Sequence, residues 1–394
     1  MFYLLAITIV AMFVIGNNKR IYNKLFYIAL AVMAVLMGGN TNNPDTGIYY
    51  DIYYSDAFFE KDVLFGVLVN ISKYIGLDVD QFRFLICLTG LCLIYTTVLK
   101  YTKSPWLFTV LYLSVPFFYD VIQLRNFLGW AIIIYALPLM LCRNGWKKLF
   151  AVLLFLAAAL IQKVHLIFPV LLILAFWTYK NKYFRYVFFS LATLISFVAV
   201  IPTVSNAITW FLNQFDLIGL KSYSNRSIQF GWAVKYALHF LNCLVLWYIK
   251  GRLFNRVDGA KRTFLHAVYY LNFASTVCLC LYTIDSSFAR ILRNTTILVF
   301  IVIAAYFQYG IFSDAREQVL EILALVVYLG VNFYFYFLFK QPGEGISYVT
   351  NVFQHNWILF GDHSTGMWLT KTFHRDRQGL RLHCFSKHDT IAIK

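Results

Sequence analysis

Residues 232–284 contain two long apolar runs, WAVKYALHFLNCLVLWYI (232–249) and FLHAVYYLNFASTVCLCLYTI (264–284), separated by the basic segment KGRLFNRVDGAKRT (250–263). Each run is close to the ~20 residues that a helix needs to cross a bilayer. The basic residues lie between the runs, where the chain would leave the membrane, as is typical of a cytoplasmic loop. This stretch therefore predicts a membrane-spanning helical hairpin.

The rest of the chain repeats this alternation of apolar runs and short basic segments. Of its 394 residues, 60% are hydrophobic, 19% are aromatic and only 13% are charged, a composition that predicts a membrane protein. The net charge of +16 could suggest nucleic acid, but the basic residues lie scattered at span ends, whereas nucleic-acid binders gather them on one face. We therefore expect a lipid bilayer, and no nucleic acid, as a partner.

The sequence predicts an all-α, polytopic integral membrane protein with about 11–12 transmembrane helices. The expected spans are 2–16, 25–38, 82–99, 106–119, 127–142, 149–161, 164–177, 186–202, 232–249, 264–284, 295–312 and 319–339. The first run has no preceding basic region and no small-residue cleavage site, so we interpret it as a retained span and not as a signal peptide.

The distribution of Lys and Arg predicts the topology of these spans. Seventeen of these residues fall in the loops that we place inside, and only seven fall in the loops that we place outside. The inside loops are 17–24, 100–105, 143–148, 178–185, 250–263 and 313–318. By the positive-inside rule, this bias puts the N-terminus outside.

Two conditions make this topology consistent. Residues 63–80 must form a re-entrant or interfacial helix that does not cross the membrane, which the polar Asn70 and Lys73 favour. The run 149–177 must be broken near Gln162, because a single span would place a basic segment outside. Lys163 and His165 at this break are costly in lipid, so they favour a bend that faces protein or water.

We expect one polytopic membrane domain over residues 1–361 and a basic polar tail over residues 362–394. Counting the last span places the tail outside, against the charge rule, unless 346–361 dips into the membrane or crosses it. The sequence leaves both placements open.

Acidic and aromatic residues alternate in the expected outer loop 39–62 (GNTNNPDTGIYYDIYYSDAFFEKD). Carboxylates can accept sugar hydroxyls or act as bases, and aromatic rings can pack against the apolar face of a sugar. This composition favours a carbohydrate site, although a solvated loop with interfacial tyrosines fits about equally well. The residues of interest are Asp45, Asp51, Glu60, Tyr49 and Tyr53.

Positive charge recurs on the outer side, which the charge rule says should be depleted. Arg125 lies between two spans, Lys163 and His165 lie at the presumed break, and Arg290 and Arg293 follow Asp285. A single such arginine is most simply a snorkelling anchor at a helix end. Their recurrence favours a site for an anionic substrate attached to a lipid, because guanidinium groups bind phosphate bidentately.

These segments resemble the EpsG family of bacterial polysaccharide polymerases, which is related to the Wzy O-antigen polymerases. The resemblance runs from about residue 39 to about residue 353. It rests on the acidic and tyrosine-rich outer loop, Glu60 with the following apolar run, Arg125-Asn126-Phe127-Leu128, Lys163-Val164-His165 and Phe288-Ala289-Arg290-Ile291. The chain departs from the family pattern at Asn126 and Gly129, where Gln and Ala are usual, and at Ile167, where a small hydroxyl residue is common.

The resemblance implies a glycosyltransferase that polymerises oligosaccharide repeat units on the periplasmic face of the bacterial inner membrane. The donor would be the growing chain on undecaprenyl pyrophosphate, the acceptor a lipid-linked repeat unit, and a chain-length regulator is a possible partner. Such a transfer needs a base for the acceptor hydroxyl and positive charge for the departing pyrophosphate. Because arginines can supply that charge, we expect neither a metal nor a cofactor.

Within this reaction we assign roles to the outer residues. Arg125 and Arg290 would clamp the pyrophosphate, with smaller contributions from Arg293 and Lys163. His165 would position a phosphate or the acceptor sugar. The base candidates are Asp45, Asp51 and Glu60, which the sequence does not rank; Asp285 would orient Arg290, and Tyr49 and Tyr53 would contact the sugar.

Three alternatives stay open. A lipid-linked oligosaccharide flippase would explain the spans and the charges at membrane depth, but such transporters usually show internal repeats. A non-enzymatic assembly partner would need no charged residues at the outer boundary. An O-antigen ligase would share the donor and differ in its acceptor.

Overall fold

Helices form almost all of the described chain in the computed structural model, which covers residues 8, 11, 19–54, 62–215, 231–284, 288–309, 314–339, 344–360, 375–376 and 379–380. The helices are α1 (Lys19–Gly38), α2 (Thr46–Tyr54), α3 (Val63–Tyr74), α4 (Val79–Tyr101), α5 (Pro105–Ser114), α6 (Pro116–Ile122), α7 (Leu124–Met140), α8 (Gly145–Ile161), α9 (Ile167–Lys180), α10 (Lys182–Val198), α11 (Pro202–Phe215), α12 (Gly231–Leu253), α13 (Gly259–Ala274), α14 (Leu279–Tyr282), α15 (Ala289–Gln308), α16 (Ala315–Phe333), α17 (Glu344–Gln354) and α18 (Trp357–Phe360). Three 3-10 segments (Lys163–Leu166, Phe254–Arg256, Ser275–Cys278), a π-helical turn (Tyr334–Leu338) and a two-stranded pairing (Arg375–Asp376 with Gly379–Leu380) complete the described elements.

Short polar side chains fix several of the helix starts. Asp78 accepts from the backbone N–H of Gln81, and the Gln81 side chain bonds back to the Asp78 N–H, which together form a capping box at the start of α4. Three further helices have a simple cap, in which a side-chain oxygen accepts a backbone N–H: Asn144 caps α8, Asn181 caps α10 and Asp314 caps α16. These caps satisfy N–H groups that have no partner within the helix.

Six described helical stretches are long and apolar enough to cross a membrane, and up to eight are if each of two bent pairs counts as one span. The all-α polytopic class is thereby confirmed. The six are Val79–Tyr101, Lys163–Lys180, Gly231–Arg256, Gly259–Tyr282, Ala289–Gln308 and Ala315–Leu338. The number is smaller than the expected 11–12 because several of the expected spans are short or broken helices. The expected span 2–16 lies almost wholly outside the described residues.

Two predicted irregularities are confirmed. Helix α3 has 12 residues, about 18 Å at ~1.5 Å per residue, too short for a ~30 Å hydrocarbon core. The run 149–177 is broken as expected, because α8 ends at Ile161 and a 3-10 turn, Lys163–Leu166, precedes α9. A further bend was not predicted: α5 and α6 meet at 64°, with Pro116 starting the second helix.

Four of the six predicted inside loops, 100–105, 178–185, 250–263 and 313–318, meet at one end of the helix bundle, which we call the basic end. The Lys103 N–H donates to Gln308 Oε1 at 2.6 Å. The guanidinium of Arg185 lies 4.9 Å from the Tyr270 ring centroid, and Arg252 forms ion pairs with Glu317 and Glu321 on α16. Loops that are far apart in sequence therefore share this end, as the charge distribution predicted.

The opposite end, which we call the site end, holds the starts of α3, α4, α7 and α15. Arg83 Nη2 donates to the Asn40 carbonyl at 2.6 Å, and Asn40 forms a backbone bridge with Asn356. Residues 344–360 therefore stay at the site end after α16 and do not cross the bundle, since α17 has only 11 residues. The tail 362–394 lies almost entirely outside the described residues. Helix α15 runs through the centre of the bundle and is almost completely buried.

Candidate active site

Arg125 lies at the centre of the site end. It is the second residue of α7 and forms an ion pair with Asp62, the residue that precedes α3. The Asp62 carboxylate also accepts the backbone N–H of Lys163, at the break before α9. Burial raises the pKa of Asp62, and the charges of Arg125 and Lys163 oppose this shift. Asp62 thus connects three segments that are distant in sequence.

Asp45 faces the arginines from the turn before α2. It is half-buried, and its backbone N–H donates to Asn43 Oδ1 at 3.1 Å. Burial raises the pKa of Asp45, whereas the positive charges of Arg125, Arg290 and Arg293 lower it. The structure therefore brings one of the three expected base candidates within electrostatic reach of all three expected arginines.

Arg290 and Arg293 lie one turn apart at the start of α15, so both side chains can face the same side of the helix. The Arg293 guanidinium donates to Gln123 Oε1 and lies 4.6 Å from the centroid of the Tyr119 ring. Arg290 lies within electrostatic reach of both Asp45 and His165. Gln123 was not among the residues expected from the sequence.

The helix starts add to this positive charge. Arg125 and Arg290 are each the second residue of a helix, and Lys163 begins a 3-10 turn. Helix N-termini carry partial positive charge, so basic residues there are unfavourable on their own and become favourable when an anion binds. The starts of these helices therefore concentrate positive charge at the site end.

An amide pair fixes the two arginine-bearing helices to each other. Asn126 on α7 and Asn294 on α15 are completely buried and exchange reciprocal side-chain hydrogen bonds of 3.1 Å each. Each asparagine follows an arginine of the site in sequence, Arg125 and Arg293. The pair thus sets the distance between the two groups of guanidinium side chains.

His165 lies at the break and is fully buried against Gly129 of α7. A Cβ atom at position 129 would lie 2.3 Å from His165 Cδ2 and 2.4 Å from Nε2, so only glycine leaves room for the ring. Within the described part of the chain, neither ring nitrogen has a hydrogen-bond partner of good geometry. Gly129 makes this close approach possible.

Tyr49 supports the start of α7. Its hydroxyl donates to the Ile122 carbonyl at 3.3 Å, and its oxygen faces the backbone N–H groups of Leu124 and Arg125. Burial, followed by the charge of Asp45, raises the pKa of Tyr49 to about 12, so the phenol stays neutral at physiological pH. Tyr49 therefore belongs to the site as a support for the turn that carries Arg125.

For the other expected site residues, the described part of the structure shows no contact with the arginines of the site end. Asp51 is exposed on α2. Tyr53 donates to the Leu77 carbonyl at 2.5 Å and packs near Lys73, which ties α2 to the turn before α4. Glu60 and Asp285 lie outside the described residues.

The segment Asp78-Val79-Asp80, which was not among the expected site residues, has the spacing of an acidic metal-binding pair. The Asp78 side chain caps α4, whereas Asp80 accepts from Tyr50 and pairs with Arg83. Both carboxylates are thus engaged within the protein, and only Asp80, through Tyr50 and Arg83, helps to hold the segment that carries Asp45. Among the residues that the structure describes, no group of three or more His, Cys, Asp or Glu side chains is placed to hold a metal ion.

The sequence model of the EpsG family matches residues 23–350, which include every site residue described above. The chain belongs to the EpsG family. EpsG-type proteins are Wzy-like polymerases, so membership indicates a glycosyltransferase-like enzyme of polysaccharide biosynthesis. No curated protein and no solved structure matches the chain significantly. The tail 362–394 lies beyond the part that matches the EpsG family.

Proposed function

We propose that this EpsG-family protein transfers a growing polysaccharide from undecaprenyl pyrophosphate to the non-reducing end of a lipid-linked repeat unit. The reaction would take place at the site end, on the periplasmic face of the bacterial inner membrane. The charge distribution supports this orientation, because the basic loops gather at the opposite end of the bundle. We further propose that residues 1–361 act as a single membrane domain.

The observation that carries the proposal is that the Asp62–Arg125 ion pair lies beside the start of the helix with Arg290 and Arg293, and that all three arginines lie within electrostatic reach of the Asp45 carboxylate. Glycosyl transfer needs a base and a stabilised anionic leaving group within a few ångströms of one another. A pyrophosphate is attracted by clustered guanidinium groups at helix starts. A solvated loop with interfacial tyrosines would require no such grouping.

In the proposed step, Asp45 takes the proton of the acceptor hydroxyl as its oxygen attacks the anomeric carbon of the donor chain. The bond from this carbon to the pyrophosphate oxygen breaks, and the pyrophosphate leaves with the electron pair. Arg125 and Arg290 stabilise the charge that develops there, with Arg293 and Lys163 as weaker contributors. The new glycosidic bond joins the acceptor oxygen to the anomeric carbon, and the proton is held by Asp45.

Asp45 is the candidate base that the geometry favours, because Asp51 is exposed and Glu60 lies outside the described residues. Asp62 acts as a positioning residue, since its carboxylate holds both Arg125 and the backbone of Lys163. His165 would orient a phosphate or the acceptor sugar, which would give its ring nitrogens a partner.

The experiment compares Asp45→Asn with Asp51→Asn in a strain that lacks the chromosomal gene. The amide keeps the shape of the side chain but cannot take a proton. We expect Asp45→Asn to leave surface glycan with one repeat unit, seen as a single band on a gel, and Asp51→Asn to restore the long ladder. Protein levels in the membrane serve as the control.

Other outcomes identify other functions. Repeat units trapped on the cytoplasmic side in the deletion strain would indicate a flippase. Long polymer left on undecaprenyl pyrophosphate would indicate a ligase. A full ladder with Asp45→Asn would remove Asp45 from the role of base.

A further inference from the structure

A lateral cleft lies at the basic end, far from the candidate active site. It has a volume of about 760 Å³ and lies between α16 on one side and α12 and α15 on the other. Its walls are mainly apolar, with Leu244, Ile303 and Leu320 among the lining residues. Helix α16 is the least buried of the six long spans, so the cleft faces the surrounding lipid.

The depth of the cleft corresponds to one leaflet of the membrane. Its lining on α16 extends from Glu317 to Tyr328, a distance of about 16 Å at ~1.5 Å per residue. Half of a ~30 Å hydrocarbon core is about 15 Å. Trp247 and Tyr248, exposed on the facing helix, lie near the charged end, as aromatic residues do at the membrane interface.

Charges of both signs lie at the open end of the cleft. Arg252 pairs with Glu317 and Glu321, so these three charges largely satisfy one another. Asp314 and Arg316 line the same end and are both exposed. Within the described residues, no ion pair involves Arg316. The rim therefore offers the Arg316 guanidinium and, two residues away, the Asp314 carboxylate, of which Oδ1 accepts the Glu317 N–H at 2.7 Å and Oδ2 stays available in the described part of the chain, above an apolar slot that is one leaflet deep.

We propose that this cleft binds a zwitterionic phospholipid of the phosphatidylethanolamine type. An acyl chain fills the slot, Arg316 binds the phosphate, and Asp314 accepts hydrogen bonds from the ammonium group. An anionic phospholipid without the ammonium would meet Arg316 but would also face three carboxylates. This site is separate from the proposed polymerase reaction and does not depend on it.

The test measures lipids bound to the purified full-length protein by native mass spectrometry. Phosphatidylethanolamine and phosphatidylglycerol with identical acyl chains are added at equal concentration. We expect phosphatidylethanolamine to be retained in roughly fivefold excess over phosphatidylglycerol, because one additional exposed charge contact increases affinity by about this factor. Equal retention, or an excess of phosphatidylglycerol, would overturn the assignment of the headgroup.

Two leucines on α16 provide a matched pair of variants. Leu320 and Leu323 are exposed to 57% and 54%, but only Leu320 lines the cleft. Leu320→Trp should fill the slot and abolish the retention of phosphatidylethanolamine, whereas Leu323→Trp should leave it unchanged. Equal retention by both variants would show ordinary lipid around the protein and would overturn the site.

A third variant tests the rim. Asp314→Asn preserves the helix cap, since asparagine caps as well as aspartate does. It should keep lipid binding and remove the preference for phosphatidylethanolamine over phosphatidylglycerol. A preference that survives this change would contradict the proposed contact with the ammonium group.

Discussion

Arg125 is the residue on which the contacts of the site converge. It pairs with Asp62, its charge acts on Asp45, and the Tyr49 hydroxyl supports the turn in front of it. An arginine that served only as a membrane anchor would point toward headgroups and would need no ion pair with a buried carboxylate such as Asp62. We therefore regard Arg125 as a group held ready for an anion.

Replacing Arg125 should change both the rate of polymerisation and its pH dependence. Arg125→Ala removes one charge contact to the leaving group, which typically costs roughly a hundredfold or more in rate. Arg125 also lowers the pKa of Asp45, so its removal should raise that pKa. Because the base must be ionised, activity is lost as the pH falls through this pKa, and the acid limb of the profile should move to higher pH.

The measurement is the rate of linkage formation in proteoliposomes as a function of pH. Arg143→Ala, at an exposed arginine of the basic end, is the matched control and should leave the rate and the acid limb unchanged. Arg125→Lys should recover only part of the rate, because an ammonium cannot reproduce the bidentate fork. An unchanged acid limb in Arg125→Ala would separate Arg125 from Asp45.

At the scale of elements, the residues of the site lie on short helices and at helix breaks, and the long spans form the bundle that positions these elements. Helix α3 is too short to cross, α8 ends at Ile161, and residues 344–360 return to the site end. Each of these features brings a polar segment to the same end of the bundle. The starts of α7 and α15 then direct Arg125 and Arg290 toward Asp45.

This arrangement predicts which positions share a side of the membrane. In a variant without native cysteines, Pro44→Cys and Thr350→Cys should react with a membrane-impermeant thiol reagent added to intact spheroplasts, and Ala260→Cys should not. All three positions are exposed, so accessibility alone does not distinguish them. Labelling of Pro44→Cys without Thr350→Cys would show that the segment after α16 crosses the membrane.

The sequence predicted the features that arise from hydropathy and local charge. The long spans, the break at Gln162 and the short helix near Asn70 all follow from the cost of polar groups in lipid. Helix α2 was not predicted because its nine residues, with four tyrosines, one aspartate and a glycine, resemble a loop in any long window. The partnership of Asp62 with Arg125 joins residues 63 positions apart, and only the packing of α3 against the break shows it.

At the scale of the whole molecule, the two ends have different chemistry. The basic end carries the lysines and arginines that the positive-inside rule assigns to the cytoplasm, together with the cleft beside α16. The site end carries arginines that the charge rule does not explain, gathered around Asp45. The almost completely buried α15 connects the two ends, since Arg293 lies near its start and Gln308 at its finish.

The most direct test of the account uses the purified protein in liposomes with lipid-linked repeat units as the only substrate. We expect the wild type to form a ladder of glycan lengths and to release one undecaprenyl pyrophosphate for each linkage, and Asp45→Asn to form neither. Two results would contradict a polymerase whose active site is the arginine-lined site end. In one, the wild type does not extend the repeat unit; in the other, Asp45→Asn extends it at the same rate.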